Sequence, residues 1–293
     1  MSVKKNVSLL LCFVLVFAVA ESLAAVIIDP DAPVFPGSPD DGLLEIWCGK
    51  VNVCDCHFLR CNGETLMIDG GTQGTGAATK KLLEQLGWDG VDYMLTTHHH
   101  DDHMGMQKYL VKHGFPVGEY LTPYPHDYNV PDQREMETVV LEKGIPYHTI
   151  SDGDEMWLGG ENGARIQFFR WAGSTNANFS SVMCRVTYGE RSMYFLADVT
   201  GEAQKCLAQE RPDIPWKSDI LKTGHHGYKA QVKELLHMIS PEFAVITNSK
   251  QGAAECIKQY QREEIPFMVT PSGTIYLRTD GGDDWTVTQY KEK

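Results

Sequence analysis

Four histidines and two aspartates fill six consecutive positions inside TTHHHDDHMGM, residues 96–106. Imidazoles and carboxylates packed this closely are unfavourable in a core unless each has a partner, and they are poor helix formers. The preceding run, VDYMLTT, has the apolar character of a buried strand, and GMQKYLVKHG after it has helical spacing ended by Gly114. The cluster therefore belongs on a turn between strand and helix. In a layered α/β protein that is where a rigid scaffold presents a polar loop.

Register divides the cluster. In an extended turn His98 and His100 point to one side and His99 to the other. Asp102 and His103 arrive as the chain curls into the helix and face a second point nearby. Neutral imidazole and carboxylate suit zinc, manganese or iron(II), so the donors alone leave the metal open. Four donors cannot close two sites. RSMYFLADV is a strand ending in Asp198, and DILKTGHHG a strand running into His225 and His226. Alone, Asp198 reads as a helix N-cap and the histidine pair as a polar turn. Three strand ends with complementary ligand chemistry read instead as one sheet edge.

The remaining bounds are set by composition. Residues 1–25 carry Lys4 and Lys5, an apolar run from Val7 to Ala20 and a small-residue exit at Ser22, Ala24 and Ala25, which is the pattern of a secretory signal. The protein is thus expected outside the cytoplasm, or anchored there if the signal is not cleaved. Residues 26–42, rich in Pro and Asp, read as a linker, and residues 43–293 as the folded domain. The net charge is −13, and losing Lys4, Lys5 and Glu21 makes it one unit more negative. Extended nucleic acid is disfavoured as a partner, although Lys217, Lys222, Lys229 and Lys233 form a local basic run. Of eight cysteines, Cys48, Cys54, Cys56 and Cys61 lie close together without CxxC spacing. Core thiols or a cross-strand disulfide explain them better than a zinc knuckle, with Cys54, Cys56 and Phe58 on one strand face.

With these residues in view, the sequence resembles the metallo-β-lactamase superfamily. THHHDDHMG matches its His-x-His-x-Asp-His motif through His98, His100, Asp102 and His103. More narrowly it resembles the hydrolase domain of ComEC-type competence proteins and their free-standing relatives. The matching stretches are VCDCHFLRCNGETLMIDGG, NFSSVMCRVTYGERSMYFLADV, SDILKTGHHG and FMVTPSGTIYLRTDGGDDWTV, in order from about Leu43 to Thr288. The resemblance implies an αββα sandwich of two mixed sheets, with metals at one sheet edge. It implies two divalent ions, zinc or manganese, bridged by Asp198, with His226 a ligand and Asp69 orienting the ligand loop. His225 is then free to donate a proton, and Asp102 and His225 are the groups expected to act in catalysis. Many members carry a further histidine before the bridging aspartate, where this chain has Asn176 and Asn178. Asn178 is therefore the candidate to complete the first metal's shell. The opening hairpin also departs, with Asn52 and Cys54 where relatives carry glycines.

Two ions sharing a water acidify it and offset charge on the attacked phosphoryl or carbonyl group. The expectation is an exported metal-dependent hydrolase, with phosphodiesters as first substrate class. Amide or lactone hydrolysis on the same ions is the alternative, and a metal-binding module without turnover is the rival of another class. The chain has no multi-span channel segment for DNA uptake.

Overall fold

A computed structural model describes residues 26–35, 42–282 and 284–290. Residues 1–25, expected from their sequence to be a secretory signal, lie outside the described residues. Two sheets form the molecule. The first has nine strands, in the spatial order β1 (Val26–Ile28), β16 (Trp285–Gln289), β15 (Ile275–Thr279), β2 (Leu44–Cys48), β3 (Cys56–Cys61), β4 (Glu64–Gly70), β5 (Val91–Leu95), β6 (Val117–Thr122) and β7 (Tyr147–Thr149). The second has seven: β14 (Phe267–Val269), β13 (Phe243–Ile246), β12 (Ile220–Lys222), β11 (Arg191–Phe195), β10 (Met183–Tyr188), β9 (Ala164–Phe169) and β8 (Glu155–Leu158). Both sheets are mixed, parallel from β4 to β7 and from β11 to β14 and antiparallel through their hairpins.

Side-chain alternation builds three apolar layers. Ile46, Leu59, Ile68 and Leu95 of the first sheet meet Val186, Phe195, Ile220 and Val245 of the second in a shared interior. On its other face the first sheet packs Trp47, Phe58, Met67 and Met94 against helices α1 (Gly76–Leu86), α2 (Asp101–Lys112) and α3 (Pro131–Glu142). The second sheet packs Tyr194, Leu221 and Ile246 against α4 (Gly201–Glu210), α5 (Lys233–Ile239) and α6 (Ala254–Arg262). The order is helix, sheet, sheet, helix, the αββα sandwich. Because β4, β5, β11, β12 and β13 run parallel within their sheets, their carboxyl ends reach one edge. The antiparallel β3 starts there.

The N-terminal boundary differs from the sequence reading. Of the expected linker 26–42, residues 26–35 are packed on the domain. Val26–Ile28 add a strand to the sheet, pairing in parallel with Trp285, Thr286 and Val287. Ala32 and Val34 are buried, and the Trp47 indole N–H donates to the Val34 carbonyl at 2.7 Å. The apolar VII and the buried contacts outweigh the Pro/Asp composition. Residues 36–41 lie outside the described set.

All seven described cysteines are free. Cys54, Cys56 and Phe58 share the helix-side layer, whereas Cys48 and Cys61 face the inter-sheet interior. Cys48 stands opposite His57 and Cys61 opposite Leu44, so these two occupy opposite ends of the β2–β3 pair. Reductant is accordingly expected to leave the melting temperature unchanged. Loss of a structural disulfide costs about 2–5 kcal/mol, and a fall in Tm corresponding to a loss of that size on reduction contradicts this packing.

Candidate metal centre

The opening cluster straddles the entry to α2. His100 is the N-cap, with extended backbone at φ −69° and ψ 149°, so Asp101 and Asp102 fall in the first helical turn where carboxylates suit the helix dipole. The helix packs close on the end of β4: the Met106 N–H donates to the Gly71 carbonyl at 2.7 Å. A Cβ on Gly70 would meet the Gln107 backbone nitrogen at 3.0 Å, and Gly71 has φ +75°, which together account for the two glycines of IDGG.

Two donor sets face Asp198, a carboxylate just past β11 that is 1% exposed. In one, Asp198 Oδ1 lies 3.2 Å from His103 Nε2 and 3.4 Å from His226 Nε2. Asp102 Oδ2 lies 3.2 Å from His226 Nε2 and 3.9 Å from His103 Nε2. Four donors at tetrahedral positions around one ion, each about 2.1 Å from it, stand about 3.4 Å apart. In the other set, Asp198 Oδ2 is 3.6 Å from His98 Nε2, which is 3.0 Å from His100 Nδ1. The two oxygens of Asp198 thus serve different sets. His103 Nε2, Asp198 Oδ1 and Asn178 Oδ1 are buried without a hydrogen-bond partner among the described residues, as ligand atoms aimed at a cation would be. The donor chemistry fits divalent metal.

Carboxylates behind the rings fix which nitrogen faces inward. Asp69 accepts from His103 Nδ1 at 2.7 Å, from the Thr97 hydroxyl at 2.7 Å and from the Thr97 N–H at 2.8 Å. Thr97 Oγ1, having given its proton to Asp69, accepts from His98 Nδ1 at 3.2 Å. Asp69 therefore aims one imidazole of each set, directly for His103 and through Thr97 for His98. His226 is aimed by a residue the sequence reading passed over, Asp55, whose Oδ1 lies 3.2 Å from its Nδ1 and accepts from Thr247 Oγ1 at 2.8 Å. Asp55 belongs to the same buried group as His103, Asp198 and His226, but its oxygens face the Nδ1 side of His103, at 3.9 Å, and of His226, at 3.2 Å, while the Nε2 atoms of both rings face Asp198, so its place is behind the rings. Its signal was a lone carboxylate at the head of a strand, matched by the lone Lys222 at the end of another.

The neighbours turn away. His99 lies against Tyr124 with ring centroids 5.4 Å apart. Asp101 is exposed and folds back over its own helix at Gly105. His225 is set apart from His226 by consecutive left-handed residues at φ 48° and 53°. Its Nε2 stands 3.7 Å from Asp198 Oδ2 and 3.4 Å from Asn178 Nδ2, with the ring 30% exposed at the mouth.

The charges of the site are mutually imposed. Burial alone would raise the Asp198 carboxyl, but the rings of His103, His226 and His98 outweigh it and hold it well below the usual range. Burial lowers His103, and Asp198 and Asp69 overcome this to hold it well above an ordinary imidazole. His226 is raised in the same way against burial, by Asp198 and Asp55. His98 goes well below, through burial and the neighbouring His103. Without an ion, both rings are therefore biased towards their protonated forms, and an ion competes with that proton. Metal binding is expected to release protons, read from the dependence of calorimetric enthalpy on buffer ionisation. No release would show that the rings are neutral beforehand and that this electrostatic account is wrong.

No helix among the described residues is long and apolar enough to cross a membrane. Residues 49–246 match the model of the metallo-beta-lactamase superfamily. ComE operon protein 3 of Bacillus subtilis (strain 168) is 25% identical over 211 residues, which is 68% of this chain and only 25% of that protein. This chain thus spans about a quarter of that relative's length. Among solved structures, CmlA, a diiron beta-hydroxylase from Streptomyces venezuelae, is similar at TM-score 0.54 and 15% identity, covering 78% of this chain and 53% of that one. A metal-dependent hydrolase of the beta-lactamase superfamily is similar at TM-score 0.50 and 13% identity, covering 77% and 95%. At those identities the structures speak for the fold alone, but the family match spans most of the domain, metal-binding edge included. This chain belongs to the metallo-beta-lactamase superfamily.

Proposed function

We propose that the protein is an exported dinuclear metal-dependent hydrolase that cleaves phosphodiesters. The observation that carries it is the division of Asp198 between two donor sets, with a half-open histidine, His225, beside them. The first ion would be held by His98, His100, Asp198 and Asn178 Oδ1, and the second by Asp102, His103, Asp198 and His226. Two divalent ions, zinc or manganese, supply Lewis acidity and a water that ionises near neutral pH. The chain's own contribution is placement. Asp198 fixes the spacing of the two sets, and Asp102, 29% exposed on its side chain, borders the open side where a substrate enters. His225 Nε2 is positioned to hand a proton to the leaving oxygen. Export is supported by the sequence pattern of residues 1–25.

The choice of phosphodiesters rests on the ComEC-type resemblance of the sequence, which the similarity to ComE operon protein 3 accompanies. The basic run gives it no support. Lys222 is fully buried, Lys229 pairs with Glu255 at 3.1 Å, Lys233 approaches Glu263 at 4.0 Å and Lys217 donates to the Ser240 carbonyl. With those cations engaged and a net charge of −13, short substrates are favoured over long polyanions. The same observation favours a second reading, amide or lactone hydrolysis on the same groups, because a neutral carbonyl substrate needs no cation at the mouth.

Metal stoichiometry beside kinetics on bis-(p-nitrophenyl) phosphate tests the assignment residue by residue. His99→Ala and Asp101→Ala should keep both ions and lose little activity. Asp102→Ala, His103→Ala or His226→Ala should lose the second ion, and Asp198→Ala should disturb both. His225→Ala should keep its metal and lose about 10²–10⁴-fold in kcat. Loss of metal in His99→Ala with retention in His100→Ala would overturn the ligand register. Two bound ions with turnover of lactones or amides and none of phosphodiesters would move the protein to the second reading.

A further inference from the structure

Lys222 and Asp55 form an ion pair at the heart of the molecule, 167 positions apart in sequence and both essentially unexposed. Removing two charges from water is costly, and a pair of hydrophobic residues would fill the same space without that cost. The pair touches each segment that carries a second-set ligand. Asp55 meets Nδ1 of His226, and its backbone N–H donates to the Asp102 carbonyl at 3.1 Å. Lys222 Nζ donates to the carbonyl of Ala197, the residue before Asp198, at 3.0 Å. That carbonyl also accepts the His225 N–H at 2.9 Å. Ala197, His225 and His226 all have left-handed φ, of 45°, 48° and 53°. This conformation is unfavourable for residues with a Cβ and persists only where surrounding bonds hold it.

We propose that the Lys222–Asp55 pair is a positioning device for the second metal, holding His226 Nε2 and the Asp198 carboxylate at the spacing one ion requires. The inference rests on the dinuclear reading of the site. Lys222 gives the pair its particular chemistry. Asp69, which backs His103 and His98, is held by the neutral donors of Thr97. Asp55 also accepts from a neutral donor, Thr247 Oγ1, but in addition it faces the ammonium of Lys222, buried with it. A carboxylate neutralised in this way stands behind His226 Nδ1 without carrying a net charge into the core, directly at 3.2 Å and through Thr247 Oγ1, which lies 2.9 Å from Nδ1 and donates to Asp55. His57 closes the far side at 3.8 Å from Asp55 Oδ1. Its buried ring has no hydrogen-bond partner among the described residues, so it offers Asp55 no substitute for Lys222.

Zinc titration against a chromophoric chelator, resolving the two sites, tests the proposal beside a thermal melt. Asp55→Ala should weaken the second ion by about 10–100-fold and the first ion by less, because His98 is aimed by Thr97 and Asp69. Asp55→Ala leaves Lys222 buried and unpaired and can fail to fold, so the charge-neutral double variant Asp55→Asn/Lys222→Met is the decisive one. It should melt close to the wild type and still bind the second ion about tenfold more weakly. If it folds and binds both ions as the wild type does, the pair has only a structural role and the proposal is wrong. Failure of the wild-type chain to bind zinc would instead remove the dinuclear reading.

Discussion

One buried carboxylate governs the architecture of this edge. Asp198 is almost sealed from solvent at the seam between the two sheets, and an ionised group there must be surrounded by compensating charge or donors. His98 comes to it from the end of β5, His103 from the first turn of α2 and His226 from beyond β12. Each element is brought to that point by its place in a sheet. The inter-sheet layer of Phe195, Ile220, Leu95 and Ile68 fixes the strands whose ends carry the proposed ligands or the groups behind them. The aspartate and the sandwich thus explain one another: one supplies a charge to be matched, the other the convergence that matches it.

A second pattern is the concentration of backbone strain. Asp69, Ala197, His225 and His226 all adopt positive φ, and all lie at this edge. Each such residue costs of order 1–3 kcal/mol. Local sequence does not require it, because a glycine at any of the four would relax the backbone while losing the side chain the site uses at three of them. The bonds of Thr97 to Asp69, of His225 to Ala197 and of Lys222 to Ala197 hold these conformations in place. Fold and chemistry remain separable even so. A diiron hydroxylase shares the architecture of this chain, which is why the reading of function rests on donor atoms and their spacing and not on topology.

What could be read from the sequence follows from the range of each interaction. The cluster at 98–103 is local, and alternation alone separates His98 and His100 from His99. Asp198 and His226 lie far away in sequence, yet each announces itself as a polar group ending an apolar strand. Alternation also placed Cys54, Cys56 and Phe58 on one face, though it could not say that the described thiols stay free. Asp55 and Lys222 escaped because their meaning is a pairing through space: alone, the lysine counted as one of a basic run. Val26–Ile28 escaped for a related reason. Three residues make a strand only when another edge receives them, and the receiving strand begins at Trp285.

The central claim is that Asp198 joins two metal sites, and anomalous diffraction from crystals of the protein grown with zinc or manganese tests it most directly. Two peaks are predicted, each about 2.0–2.2 Å from a different oxygen of Asp198. One should lie against His98 Nε2 and His100 Nδ1, the other against Asp102, His103 Nε2 and His226 Nε2. A single peak at full occupancy, or metal bound away from Asp198, would contradict the account.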